Sequence, residues 1–299
     1  MKCIFIYNPE SGRGRIGKNI DRIESKLKTV YDTVDLHKST GAKDIIDTVK
    51  DASEKYDAII FSGGDGTFND VAQGLSSCKV RPPLGYIPTG TANDNAHNLK
   101  IPRTIRGSLK TIINQYSIKH DVGMINNQYF MYVAGIGACT GTSYTTDQAA
   151  KKVLGRFAYV QNGLDEFFSP TMYNVKIKTK DQEVTACVPL CLVLNTVSIG
   201  GLRFNPYGHL NDGTFDIVLI NSGPGHGRLN VIFYFIRSLF GFRKKKYCQF
   251  FKASEVNIYL EDKEVNWCLD GERGPKGDVE IKCIPQHLSI FVPKKRRYK

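Results

Sequence analysis

Three times within the first hundred residues a short apolar run ends in a turn rich in glycine and small polar residues. Cys3-Ile4-Phe5-Ile6-Tyr7 leads into NPESGRGRIGKN at 8–19, Ala58-Ile59-Ile60-Phe61 into SGGDGTFND at 62–70, and Leu84-Gly85-Tyr86-Ile87 into PTGTAND at 88–94. Helical patterns follow near 17–29, 42–54, 69–75 and 103–115, and a further strand is expected near 33–37. Strands spaced by helices of that length imply a parallel sheet. In an open parallel sheet such turns share the edge at the carboxyl ends of the strands, where ligands bind. The turns place glycines where backbone amides can approach an anion. Hydroxyls (Thr67, Thr91) and carboxylates (Asp65, Asp94) stand beside them, and helix N-termini add fields that favour phosphate. The edge is expected to hold a nucleotide.

The first turn fits two standard templates and fails both. Gly12, Gly14 and Gly17 match the dinucleotide pattern, but Asn8-Pro9-Glu10-Ser11 separate the strand from the first glycine, where that fingerprint needs them adjoining. Gly12, Gly17 and Lys18 approach a Walker loop, but Asn19 replaces the hydroxyl that would bind magnesium.

After Asp121 the texture changes. Asn126-Asn127 lies between extended runs, Lys180-Asp181-Gln182 separates 173–179 from 183–187, and Asp262-Lys263 separates 254–261 from 264–269. These are hairpin signals, so the second half is expected to be mostly antiparallel β. The expected fold is an α/β nucleotide-binding domain over 1–120 with a parallel sheet, and a β-rich, sandwich-like domain over 121–286.

The chain has 299 residues, 41 Lys and Arg against 29 Asp and Glu, and a net charge of +12, which favours an anionic partner. Eight cysteines are scattered with no C-x-x-C pair and no secretory leader, as expected of reduced thiols in a cytoplasmic protein. Cys187 and Cys191 are expected to be strand packing. No apolar run approaches the ~20 residues needed to span a bilayer.

Four motifs in register resemble the diacylglycerol kinase catalytic domain, in particular the soluble bacterial lipid kinases: Asn8-Pro9-x-Ser11-Gly12, Gly63-Gly64-Asp65-Gly66-Thr67-x-Asn69, Pro88-x-Gly90-Thr91-Ala92-Asn93-Asp94 and Asp270-Gly271-Glu272. The resemblance implies an ATP-dependent, magnesium-assisted transfer of phosphate to a membrane lipid alcohol, most simply diacylglycerol to phosphatidic acid. It implies that Asn8, Pro9, Glu10, Ser11, Gly12, Thr40, Gly63, Gly64, Asp65, Gly66, Thr67, Phe68, Asn69 and Thr91 contact ATP. Asp65, Asp94 and Asp270 would hold the catalytic magnesium, and Glu272 would be the general base. It also implies a structural magnesium on Asp212 and the carbonyls of His209 and Thr214, against which stands a plain Asn-Asp-Gly turn. By the same resemblance a final strand near 287–292 returns to the first domain. Asn95 and His97 stand where relatives often carry an aromatic and an arginine, and Asp70 where glutamate is common.

Residues 228–252 combine aromatic and aliphatic residues with Arg237, Arg243 and Lys244–Lys246, and admit either a core helix or a segment lying on an anionic membrane. The expected partners are the lipid substrate and an anionic membrane surface, with no nucleic acid; a homodimer is left open. Expected placement is cytoplasmic and peripheral to the membrane. The alternatives are other lipid alcohols (sphingoid, ceramide, phosphatidylglycerol or polyprenol), then NAD as acceptor, then an inactive basic membrane-binding protein.

Overall fold

The computed structural model describes residues 1–137, 171–199, 205, 207–220 and 248–294. It divides into two compact units: Met1–Val122 with the chain from Gln286 onward, and Gly123–Pro285.

In the first unit, strands β1 (Lys2–Tyr7), β2 (Thr33–Lys38), β3 (Ala58–Gly63) and β4 (Leu84–Pro88) form a parallel sheet in the order β2-β1-β3-β4. All residues of β3 and β4 are buried, as parallel strands covered on both faces require. Helices α1 (Ile20–Leu27), α2 (Ala42–Ala52), α3 (Asp65–Ser76), α4 (Asp94–Asn98) and α5 (Ile105–Ile113) connect them. Helix α1 buries Ile23 and Leu27, and α2 buries Ile45, Val49 and Ala52, in each case residues spaced by one turn. Thr104 caps α5 by accepting the Gly107 N–H at 3.2 Å.

Three helices depart from the sequence pattern. The first begins at Ile20 rather than 17, because the preceding loop folds on itself: Gly17 N–H donates to the Pro9 carbonyl, Lys18 N–H to that of Gly14, and Gly17–Asn19 is a 3-10 turn. Helix α3 begins at Asp65, four residues before the apolar periodicity shows, and α4 carries no periodic signal at all.

In the second unit, β5 (Ser117–Ile125, entering from the first) and β6 (Gln128–Phe130) pair across Asn126-Asn127, both at positive φ, as a two-residue hairpin requires. After β7 (Val133–Gly137) come β8 (Tyr173–Thr179), β9 (Glu183–Val188), β10 (Leu190–Leu194), β11 (Phe215–Ile220), β12 (Cys248–Ala253), β13 (Glu255–Leu260), β14 (Asn266–Leu269), β15 (Glu272–Lys276) and β16 (Val279–Phe291). The start of β16 pairs antiparallel with β13, β13 with β8, and β8 with β9. A second antiparallel sheet runs β12-β11-β10-β7-β14-β15. The core holds Ile177, Val256 and Ile281 from the first sheet with Val193, Ile217 and Trp267 from the second. The last residues of β16 lie in the first unit, where Ile290 pairs parallel with Leu84.

Residues 254–261 and 264–269 do not form the expected hairpin. Strand β13 pairs with β8 and β16, whereas β14 pairs with β7 and β15, so the chain changes sheets between them. The crossing is closed by Asp278, which accepts the Leu260 N–H at 2.8 Å and Lys263 Nζ at 2.7 Å, and by Gly277 N–H on the Val265 carbonyl. Of the 228–252 segment, residues 228–247 lie outside the described residues, and Cys248–Lys252 belong to β12. The described cysteines are free thiols, with Cys187 on β9 and Cys191 buried on β10.

Candidate active site

In the first unit the second and third glycine turns meet backbone to backbone, and the first packs against the Thr89 side chain of the third. A Cβ on Gly90 would stand 2.6 Å from Gly64 Cα, and one on Gly12 would stand 3.3 Å from Thr89 Cβ. Side chains at these positions would part the loops. Asn93, at φ 53, fixes the third turn: its Oδ1 accepts the Gly90 N–H at 2.9 Å, and its Nδ2 donates to the Gly90 carbonyl at 2.6 Å. The buried Tyr86 hydroxyl lies 3.2 Å from both Asn93 Oδ1 and the Gly63 carbonyl, and burial holds its pKa well above the ordinary tyrosine range. Arg103 Nη2 donates to the Thr91 carbonyl at 2.7 Å, and Arg15 Nε to that of Gly12 at 2.9 Å.

Asp65 opens α3 behind Gly64, with no side chain capping the helix start. The first-turn N–H groups are therefore free of a side-chain acceptor, the arrangement that favours an anion. One Asp65 oxygen accepts the backbone N–H and Nδ2 of Asn95 at 3.1 and 3.3 Å; among the described residues its other oxygen has no hydrogen-bond donor. Asp94 opens α4 and is 5% exposed. Asn69 Oδ1 is buried and without a hydrogen-bond partner.

The remaining nucleotide candidates divide. Asn8 Oδ1 accepts the Glu10 N–H and the Asn8 carbonyl that of Ser11, tightening the first turn. The Thr67 side chain packs over Gly63. Phe68 is fully buried, edge-on to Phe61 and Tyr86, so its side chain belongs to the core and only its backbone can face a ligand. Thr40 is exposed, its N–H held by Asp44 Oδ2 at 2.9 Å.

In the second unit Asp270 and Gly271, at φ 52 and 91, form the two-residue turn of the β14–β15 hairpin. Asp-Gly with both residues left-handed is the favoured type I′ connection. The turn leaves Glu272 exposed at the start of β15, while Asp270 is 5% exposed and its carboxylate accepts the N–H groups of Met131, Tyr132 and Val133.

The expected structural metal turn carries hydrogen bonds and an ion pair of its own. Asp212 Oδ1 accepts the Thr214 N–H and hydroxyl at 3.2 and 2.9 Å, and Oδ2 lies 2.6 Å from Lys252 Nζ. Burial alone would raise the Asp212 pKa, but hydrogen bonds from Lys252 and Thr214 outweigh it and hold the carboxylate below its ordinary range. The Lys252 ammonium faces the charge that a metal on Asp212 and the carbonyls of His209 and Thr214 would neutralise.

Asn93, Asn95 and Asn195 are positioning groups that the sequence reading missed. The first two lie inside or beside a recognised motif; Asn195 carries no local signal.

Residues 2–125 match the model of the diacylglycerol kinase catalytic domain, and 133–292 that of the YegS C-terminal NAD kinase beta sandwich-like domain. A diacylglycerol kinase of Bacillus subtilis (strain 168) is 32% identical over 98% of this chain and 96% of its own length. The chain belongs to the diacylglycerol kinase family. One of Staphylococcus epidermidis is 31% identical over 97% of this chain and 92% of its own. The crystal structure of a diacylglycerol kinase from Bacillus anthracis str. Sterne superposes with a TM-score of 0.81 at 25% identity, covering 98% of this chain and 97% of that one. Another crystal structure from that organism gives 0.86 at 27%, over 98% and 95%. The fold, an α/β unit with a mostly parallel sheet followed by antiparallel β sheets, is that of these relatives. Among the described residues no helix is long and apolar enough to cross a membrane.

Proposed function

We propose that this member of the family transfers the γ-phosphate of ATP to the hydroxyl of a membrane lipid, most simply diacylglycerol, giving phosphatidic acid and ADP. The observation that carries this reading is the interlocked glycine edge of the first unit, with Asp65 at an uncapped helix start. Phosphoryl transfer is catalysed mainly by positioning and by neutralising charge, and this edge is built for both. Backbone amides of the turns at 8–12 and 63–69, with Thr40 and Thr91, would seat the triphosphate.

The donors suit magnesium. Among the described residues no group of three His, Cys, Asp or Glu side chains is gathered into a cage. Asp65 and Asp94 together with the partnerless Asn69 oxygen are hard oxygen ligands, few in number, as befits an ion that keeps waters and substrate phosphates. Bound there, magnesium would neutralise charge on the transferring phosphate. Glu272, exposed at the start of β15, would accept the proton of the attacking lipid hydroxyl.

A lipid acceptor brings the enzyme to a bilayer, and the net charge of +12 favours an anionic one. The test is to incubate the protein with labelled ATP and mixed micelles of diacylglycerol, ceramide, a sphingoid base, phosphatidylglycerol or a polyprenol, with NAD in parallel. Label in phosphatidic acid alone supports the reading. Label in another lipid changes the acceptor, label in NADP changes the class, and no transfer to any acceptor overturns the activity.

A further inference from the structure

The backbone of Met131-Tyr132-Val133, where the chain leaves β6 of one sheet for β7 of the other, is satisfied by two residues. All three N–H groups donate to the Asp270 carboxylate: Met131 to Oδ2 at 2.6 Å, Tyr132 and Val133 to Oδ1 at 2.9 Å each. The Met131 carbonyl accepts Asn195 Nδ2 at 3.0 Å, the Tyr132 carbonyl the Asn195 N–H at 2.9 Å, and the Val133 carbonyl the Asp270 N–H at 2.9 Å. The Tyr132 hydroxyl closes the arrangement on the Asp270 carbonyl at 3.0 Å. Buried backbone groups must find partners, and hydrogen bonds to an ionised acceptor are about twice as strong as neutral ones. Asp270 therefore anchors the corner with its side chain and, through its left-handed backbone, starts the turn that presents Glu272.

We propose that Asp270 is a positioning residue: its charge holds the 131–133 corner and thereby sets the place of Glu272, and it does not ligate the metal. Asn195 is the second clamp of the same corner. The proposal rests on the reading of Glu272 as the base, and the experiment separates the two.

Asp270→Asn turns a pure acceptor into one that also carries an N–H₂ group facing backbone donors. It should lower kcat roughly 10–100-fold, the usual cost of losing a supporting partner, and leave the magnesium concentration for half-maximal rate unchanged. In the Glu272→Gln background it should cost no more than about twofold further, since effects acting through one group do not multiply. A tenfold rise in the magnesium requirement, or losses that multiply in the double variant, would overturn the proposal. If Glu272→Gln alone is silent, the base reading and the coupling to it fall, while the magnesium titration of Asp270→Asn still decides whether its carboxylate serves a metal. Should Asp270→Asn not fold, Asn195→Ala loosens the same corner without touching the carboxylate. A reduced kcat at an unchanged magnesium requirement supports the proposal, and an unchanged kcat or a shifted magnesium requirement defeats it.

Discussion

Asp65 and Asp270 occupy matching places in the sequence, each an aspartate beside a glycine just after a buried strand, and the fold uses them differently. Asp65 enters a helix whose backbone groups pair within the helix or face outward from its first turn, so one carboxylate oxygen is taken by Asn95 and the other is left for a ligand. Asp270 enters a hairpin beside a corner where the chain changes sheets and three successive N–H groups turn to its carboxylate, so both its oxygens are engaged. A third aspartate-glycine pair, Asp212-Gly213, is closed by Thr214 and Lys252. Among the described residues the same dipeptide leaves a carboxylate oxygen without a donor at Asp65 and engages both oxygens at Asp270 and Asp212.

The sharpest way to break this comparison is Asp65→Asn. If its uncommitted oxygen organises the metal, turnover should fall by orders of magnitude, since such a charge contributes several kcal/mol to transition-state stabilisation, while the thermal midpoint stays close to wild type. A folded variant retaining more than about a tenth of wild-type kcat would remove Asp65 from the metal. Next in size is Glu272→Gln, expected to lower kcat by roughly 10²–10⁴ while the KM for ATP is kept. A raised KM for ATP at constant kcat would make Glu272 a nucleotide contact instead.

The third aspartate sharpens the comparison through stability. Asp216 is 3% exposed, accepts a hydrogen bond from Asn205 Nδ2, and lies 3.7 Å from the same Lys252 Nζ that pairs with Asp212. Lys252→Met leaves a buried carboxylate short of its cation and should lower stability by on the order of 1–3 kcal/mol, read as a lower urea midpoint. Because the ammonium already fills the cation's role, EDTA should leave the wild-type midpoint unchanged and magnesium should not rescue the variant. A wild-type midpoint that drops in EDTA would restore a metal to this turn.

The two regions also differed in how much the sequence disclosed. The glycine edge of the first unit was legible because its constraints are local: a Cβ on Gly90 would stand 2.6 Å from Gly64 Cα, so glycine is required there. The helix starting at Asp65 was placed late because apolar periodicity sees only the face α3 buries. The environment of Asp270 was not legible, because its partners lie 137 to 139 residues away and no spacing rule reports a long-range carboxylate on backbone amides. Asp262-Lys263 resembled a hairpin turn, but Asp278 and Gly277 hold the adjoining residues in a sheet crossing. Of the segment 228–252 the last five residues are strand, while the aromatic run at 229–242 lies outside the described residues.

The smallest expected effect concerns the edge of the nucleotide region, where a carboxylate again serves backbone. Asp44 Oδ2 accepts the Thr40 N–H at 2.9 Å and lies 3.0 Å from His37 Nε2, itself 3.2 Å from Thr48 Oγ1. The His37 hydrogen bond first, then that of Thr40, holds the Asp44 pKa below its ordinary value of 3.8. A depressed carboxylate pKa contributes stability that is complete above the unfolded-state value and is lost as pH falls through the folded one. The stability difference between wild type and Asp44→Asn should therefore shrink as pH is lowered below about 4, in urea melts run from pH 5 downward. Asp44 is partly exposed and solvent screens it, so the difference should be small. If the turn matters for the nucleotide, Asp44→Asn should also raise the KM for ATP a few-fold with kcat kept. A pH-independent difference would remove the carboxylate's role, whereas the expected pH dependence with an unchanged KM would make Asp44 a support of the fold alone.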